Sequence, residues 1–170
     1  VSGLARAARR GILIKGGVYL EDARKLKVIA LDKTGTITEG KPKLVATEIL
    51  DQTVSEKVIL EWAGSLAALS NHPVSKAIST ALAPAATVVD DFMSLPGRGV
   101  QGRIGNQDLI LGNHRLIEER KLCGPAIEAR LVEHEAQGRT MTLLANESGV
   151  LAIFAVADTI KPHAREAIST

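Results

Sequence analysis

The chain has 170 residues, 45% hydrophobic and 24% charged, and its 21 Lys+Arg against 19 Asp+Glu leave a formal charge of +2. This usage is that of a folded globular chain rather than a disordered one, and with no polybasic stretch it speaks against nucleic acid or an anionic lipid surface as partner. The longest apolar run, the eight residues Val150 to Ala157, falls well short of the ~20 needed for a membrane-spanning helix, and the single cysteine, Cys123, excludes an intrachain disulfide and a Cys-rich metal site.

In chain order, Leu4 to Arg10 is Ala/Arg-rich and closes at Gly11, as expected of a helix with a glycine after its last turn, and Val18 to Leu26 predicts a second short helix. Val28-Ile29-Ala30-Leu31 is a continuous apolar run, the pattern of a parallel strand buried on both faces, which would present Asp32 at its carboxyl end. In open α/β sheets ligands bind at that end. From Lys43 the pattern changes. Leu44 to Leu50 is strand-like, and Thr53 with Glu56 forms a capping box ahead of a helix whose apolar face is Val58, Trp62, Leu66 and Leu69. A helix is expected from Pro73 to about Leu82, then strands over Val88–Met93, Gly99–Ile104 and Leu109–Leu111, the last two joined by a Gly105-Asn106 hairpin turn. Gly124-Pro125 opens a further helix that stops at Gly138, and strands over Thr140–Ala145 and Val150–Val156 flank a turn at Asn146–Gly149. The middle of the chain is therefore an α+β unit, an antiparallel sheet with flanking helices. No signal peptide is visible. A start at Val1 and an end inside an apparent helix are expected of a piece of a longer chain.

The strongest chemical signal is Asp32-Lys33-Thr34-Gly35-Thr36. A carboxylate at a strand end, followed by a glycine turn with hydroxyls and free amides, can act as a nucleophile beside a cradle for phosphate oxygens, with Mg2+ neutralising the phosphate charge. Asp then Lys after a strand is also a common solvated turn. His72-Pro73 has a plain structural reading, a cap ahead of a helix whose first residue is Pro. Gly97-x-Gly99 alone marks a turn. Gly97, Gly99 and Gly102 fit G-x-G-x-x-G, but strand rather than helix residues follow, so a dinucleotide site is rejected. His114, His134 and His163 are scattered and are assigned surface or core duty.

Asp32 to Thr36 resembles the phosphorylation motif of P-type ATPases. Ser70-Asn71-His72-Pro73-Val74, Gly97-Arg98-Gly99, Leu111-Gly112-Asn113 and Ala157-Asp158-Thr159-Ile160-Lys161-Pro162 follow in the order seen in the heavy-metal-transporting branch. The flanks Gly11 to Gly17 and Gly40-Lys41-Pro42 agree, so the resemblance covers essentially the whole chain. It implies an α+β nucleotide-binding domain, residues 44–155, inserted in an incomplete α/β phosphorylation domain of the haloacid dehalogenase (HAD) type. Residues 1–43 would be the first part of that phosphorylation domain and 156–170 the start of its returning segment.

The resemblance further implies ATP and Mg2+ as cofactors. Asp32 would be the phosphoryl acceptor, Lys33 a positive charge beside the phosphates, and Thr34 a carbonyl donor to Mg2+ alongside Asp32. His72, Gly97, Gly99, Gly112 and Asn113 would hold the nucleotide, and Asp158 and Thr159 would form the hinge. Thr34 occupies the position where related phosphatases carry a second Asp as general acid and base, so a long-lived aspartyl phosphate is expected rather than rapid hydrolysis. Many relatives also carry a glutamate five residues before the motif histidine; here Ala67 stands there, and loss of one hydrogen bond of ~1 kcal/mol implies roughly five- to tenfold weaker ATP binding unless Ser65 or Ser70 substitutes.

The expected whole is a metal exporter at a membrane, this portion lying on its cytoplasmic face, with membrane helices, an actuator domain and the rest of the phosphorylation domain as partners in the same polypeptide. The alternatives are a HAD-superfamily phosphatase and, for the fragment alone, a non-catalytic nucleotide-binding module that binds ATP with little or no turnover. The Ser70 to Ser75 and Leu111 to Leu116 segments resemble zinc, cadmium and lead exporters more than copper exporters.

Overall fold

A computed structural model of the chain describes residues 2–84 and 87–169, which divide into two compact units, Val1–Asp32 and Lys33–Thr170. The first unit holds helix α1 (Ser2–Arg9), helix α2 (Gly17–Asp22) and a single 3-10 turn, Ala23–Lys25. Gly11 follows α1 with φ +77°, as the glycine closing that helix predicts. The strand expected at Val28–Leu31 is absent. Those residues are irregular, with Val28 83% and Ile29 69% exposed. A strand buried on both faces needs a hydrogen-bonded neighbour at each edge; no described residue pairs with 28–31, so the apolar side chains have nothing to bury against.

The second unit is built on one six-stranded sheet: β1 (Thr38–Ile49), β2 (Asp90–Leu95), β3 (Gly99–Ile104), β4 (Gln107–Gly112), β5 (Thr140–Asn146) and β6 (Gly149–Ile160). Their order across the sheet is β1-β6-β5-β4-β3-β2, and every adjacent pair is antiparallel. Helices α3 (Glu56–Ala68) and α4 (Pro73–Leu82) cover one face, α5 (His114–Glu119) and α6 (Pro125–Ala136) serve the other, and α7 (Ala164–Ser169) follows β6. On the first face Ile59, Leu66 and Ile78 pack with Leu144, Leu151 and Phe154. On the second, Ile117 and Leu131 pack with Leu143, Ile153 and Ala155. A sheet covered on both faces requires apolar residues at successive positions rather than alternate ones, which is why Val150 to Val156 is unbroken in sequence. Ala145 pairs with Val150 while Leu144 pairs with Ala152, so Leu151 is an extra residue that shifts the phase of β6 between the two cores.

Several boundaries differ from expectation. β1 begins at Thr38 rather than Leu44 and passes through Pro42, an arrangement open to an edge strand with an irregular register. Together with β6, which continues to Ile160, it runs unbroken across residues 43 and 155, pairing Pro42 with Asp158 and Lys43 with Ala157. The cap of α3 is Ser55, not Thr53. Thr53 instead donates its amide and hydroxyl to Asp51 (2.7 and 2.6 Å), a local turn that competes with helix entry. The buried stripe of α3 is Ile59, Ala63, Leu66 and Ala67, with Leu69 half exposed. α5 escaped the periodicity reading because six residues span less than two turns.

Candidate functional site

His72, Gly97, Gly99, Gly112 and Asn113, separated by up to 41 positions in sequence, line a single cleft of about 250 Å³ together with Ser70, Arg98 and Thr142. His72 caps α4: its Nδ1 accepts the Val74 amide at 3.3 Å, and Pro73 fills the first helical position. The accepting Nδ1 leaves the proton of a neutral ring on Nε2. The same histidine therefore serves the helix with one nitrogen and offers an exposed donor with the other. The His72 amide is bonded to Ser70 Oγ at 3.2 Å.

The opposite wall is a turn. The Arg98 amide donates to the Leu95 carbonyl (2.9 Å) across Pro96-Gly97, with Gly97 at φ +69°. Pro at the first central position and a positive-φ Gly at the second are the residues a type II turn selects. Asn113 anchors this turn twice, with Nδ2 to the Gly97 carbonyl (3.0 Å) and its own amide to the Arg98 carbonyl (2.8 Å). Its Oδ1 accepts from Leu116 and so caps α5. At Gly99 the backbone of β3 meets that of β4 so closely that a Cβ would lie 2.3 Å from the Leu111 carbonyl oxygen, and φ is +152°. A Cβ on Gly112 would meet Leu116 Cδ2 at 2.4 Å and the Arg98 oxygen at 2.8 Å. These two glycines thus hold backbone against backbone at the cleft floor.

Ala67 does not line this cleft; it is fully buried in the core. Of the two serines that could substitute for a polar group there, Ser65 is buried and spends its hydroxyl on the Glu61 carbonyl of its own helix (2.7 Å), whereas Ser70 lines the cleft.

The second constellation lies where β1 and β6 begin to pair. Lys33–Ile37 forms a tight loop in which Thr34 is extended (φ −77°, ψ 119°) and Gly35 takes φ +77°. The buried Thr38 hydroxyl lies 2.5 Å from Asp158 Oδ2 and 3.0 Å from the Lys33 carbonyl. Its one proton goes to the carboxylate, the stronger acceptor. Asp158 Oδ1 accepts the Lys41 amide at 3.2 Å, and Lys161 Nζ donates to the Gly35 carbonyl at 2.6 Å. Asp158 therefore pins β1 to β6, and Lys161 pins the loop. Next to it, the Lys43 ammonium holds the Glu39 carboxyl below its ordinary value. Asp32 is exposed and ends the first unit. Thr38 was missed in the sequence because a threonine inside a strand carries no local signal; only the antiparallel pairing of β1 with β6 brings its hydroxyl to Asp158.

The chain belongs to the haloacid dehalogenase-like hydrolase family, whose profile matches residues 26–170. Its homologues are heavy-metal P-type ATPases. The probable cadmium-transporting ATPase of Alkalihalophilus pseudofirmus is 33% identical over 98% of this chain and 24% of its own length. The probable copper-importing P-type ATPase A of Enterococcus hirae is 38% identical over 98% and 22%. The crystal structure of a zinc-transporting PIB-type ATPase in its E2.Pi state matches with a TM-score of 0.81 at 33% identity, covering 99% of this chain and 27% of that one. The chain spans about a quarter of the length of these relatives. Proteins named for cadmium, copper and zinc all match. Among the described residues no helix is long and apolar enough to cross a membrane.

Proposed function

We propose that this chain is the ATP-handling portion of a heavy-metal-exporting P-type ATPase, with ATP in the cleft of His72, Gly97, Gly99, Gly112 and Asn113. The observation that carries this reading is the convergence of those five residues on one cleft. At about 250 Å³ the cleft falls just below the ~300–1,000 Å³ of small-molecule pockets, which suits a purine and its ribose with the phosphates outside. His72 Nε2–H is the side-chain donor, and the flat imidazole stacks or hydrogen-bonds; the Leu95–Arg98 turn, stiffened by Asn113, presents backbone without side-chain obstruction.

In the intact polypeptide the Asp32 carboxylate attacks the terminal phosphorus, forming a P–O bond as the bond to the bridging oxygen breaks and ADP leaves. Lys33 supplies positive charge to that transfer. Mg2+ suits the hard oxygen donors available, the Asp32 carboxylate and the Thr34 carbonyl, and would neutralise phosphate charge there. Both Asp158 oxygens are already engaged by Thr38 and Lys41, which favours Asp158, with Thr159 beside it, as a hinge rather than a direct ligand. The whole pump would sit in a membrane with this portion on the cytoplasmic face, and the segment resemblances favour zinc, cadmium or lead over copper.

Calorimetric titration with ATP tests the cleft. Binding between micromolar and millimolar is expected for the wild-type chain, and His72→Asn, which keeps an acceptor for the α4 cap, should weaken it about five- to tenfold, the value of one donor hydrogen bond. Unchanged affinity in that variant, or no binding by the wild type, would remove the cleft as the site.

A further inference from the structure

On the second face of the sheet three different metal-ligating side chains converge. His114 Nε2 lies 3.2 Å from Cys123 Sγ, and these atoms and a carboxylate oxygen of Glu128 all lie within 4.8 Å of one another. Glu118 Oε1 stands 3.8 Å from the same His114 nitrogen. The backbone builds this arrangement. α5 ends in a Schellman turn: the Lys121 amide bonds the Glu118 carbonyl (2.8 Å) and the Leu122 amide bonds the Ile117 carbonyl (3.0 Å). Lys121 takes the left-handed conformation (φ +58°) usually left to glycine, at a cost of about 1–2 kcal/mol. The reversal, fastened by Leu122 against the second core, brings Cys123 back beneath the first residue of α5, and Gly124-Pro125 then starts α6 so that Glu128 falls in its first turn.

We propose that His114, Cys123 and Glu128 form a binding site for a borderline-soft divalent transition-metal ion, Zn2+ being the type. Imidazole, thiolate and carboxylate together select such an ion; Mg2+ and Ca2+ take all-oxygen sets. Ligands at about 2.3 Å (sulfur) and 2.0 Å (nitrogen) from a tetrahedral centre are about 3.5 Å apart, close to the separation already present between Cys123 and His114. The exposed Glu128 side chain needs to close by no more than about 1.5 Å to complete the third edge, and Glu118 or water takes the fourth position. Binding replaces the thiol proton: the S–H bond breaks, a sulfur–metal bond forms, and the proton passes to solvent. This site is independent of the nucleotide reading.

Titration of the full 170-residue chain with Co2+ as a spectroscopic probe, followed by competition with Zn2+, tests it. One equivalent should produce a sulfur-to-metal charge-transfer band that Zn2+ bleaches. Cys123→Ser should abolish the band, and His114→Ala and Glu128→Gln should each weaken binding at least about tenfold, while His163→Ala, remote in sequence and fully exposed, should change nothing. Protection of Cys123 from alkylation by Zn2+ gives a second readout that needs no variant. Absence of the band in the wild-type chain, absence of protection, or affinity unaltered by His114→Ala would overturn the proposal, the last by showing that the thiol acts alone.

Discussion

The strand β6 and the segment 28–31 contain the same kind of sequence, an unbroken apolar run, and meet opposite fates. From Val150 to Val156 no residue exceeds 9% exposure, because β1 and β5 satisfy both edges and helices cover both faces. Val28, Ile29 and Leu31 are 83%, 69% and 51% exposed. An apolar run thus states a requirement for partners on every side, and it becomes a strand only where the chain supplies them.

The largest expected effect sharpens that contrast. Phe154→Ala should destabilise the second unit by about 3–5 kcal/mol, whereas Ile29→Ala should stay within about 0.5 kcal/mol, both measured by denaturant unfolding of the full chain. A loss at Ile29 matching that at Phe154 would show that the segment 28–31 packs after all. Gly99→Ala comes next, with about 2–4 kcal/mol lost because the new Cβ has only backbone to push against. Gly97→Ala meets open space and should cost only the about 1–2 kcal/mol of a left-handed alanine; equal losses at the two glycines would contradict the close β3–β4 approach.

These predictions also separate what could be read from the chain from what could not. Elements with chemical punctuation were legible: Pro73 and Gly138 mark where α4 begins and α6 stops, and Gly105-Asn106 marks the β3–β4 hairpin. The five residues singled out by the resemblance line one cleft, although their motifs are far apart in sequence. What escaped depends on tertiary geometry, in two cases on pairing across more than a hundred residues and in a third on a strained turn. The extension of β1 back to Thr38 is set by its register with Ile160, the Thr38–Asp158 bond exists only across that register, and the convergence of His114, Cys123 and Glu128 needs a left-handed lysine that no propensity favours.

The β1–β6 junction offers a moderate perturbation between the two extremes. Thr38→Val removes the donor to Asp158 and should lower stability by about 1–3 kcal/mol, with faster hydrogen exchange at the Lys41 amide that shares the same carboxylate. Unchanged exchange at Lys41 would show that Asp158 does not fasten the two strands. The smallest effect concerns the edge that β1 presents to α6. Burial works to raise the Glu48 carboxyl, but Arg130 (2.6 Å) and His134 (2.8 Å) outweigh it and hold the value below the ordinary 4.5. A carboxyl lowered on folding contributes stability that is complete above the ordinary value and is lost as pH falls through the lowered one. Melting temperature followed below pH 4.5 should therefore fall less steeply in Glu48→Gln, by an amount worth under about 1 kcal/mol for this partly exposed group; an identical acid limb in the two proteins would remove the ion pair as a source of stability.

An amide-resolved NMR titration of the chain with ATP measures most directly where a nucleotide settles. Shifts concentrated at His72, Gly97, Gly99 and Asn113, with the segment 28–31 silent, are the predicted result. Saturable binding that leaves all four of those amides unmoved would contradict it.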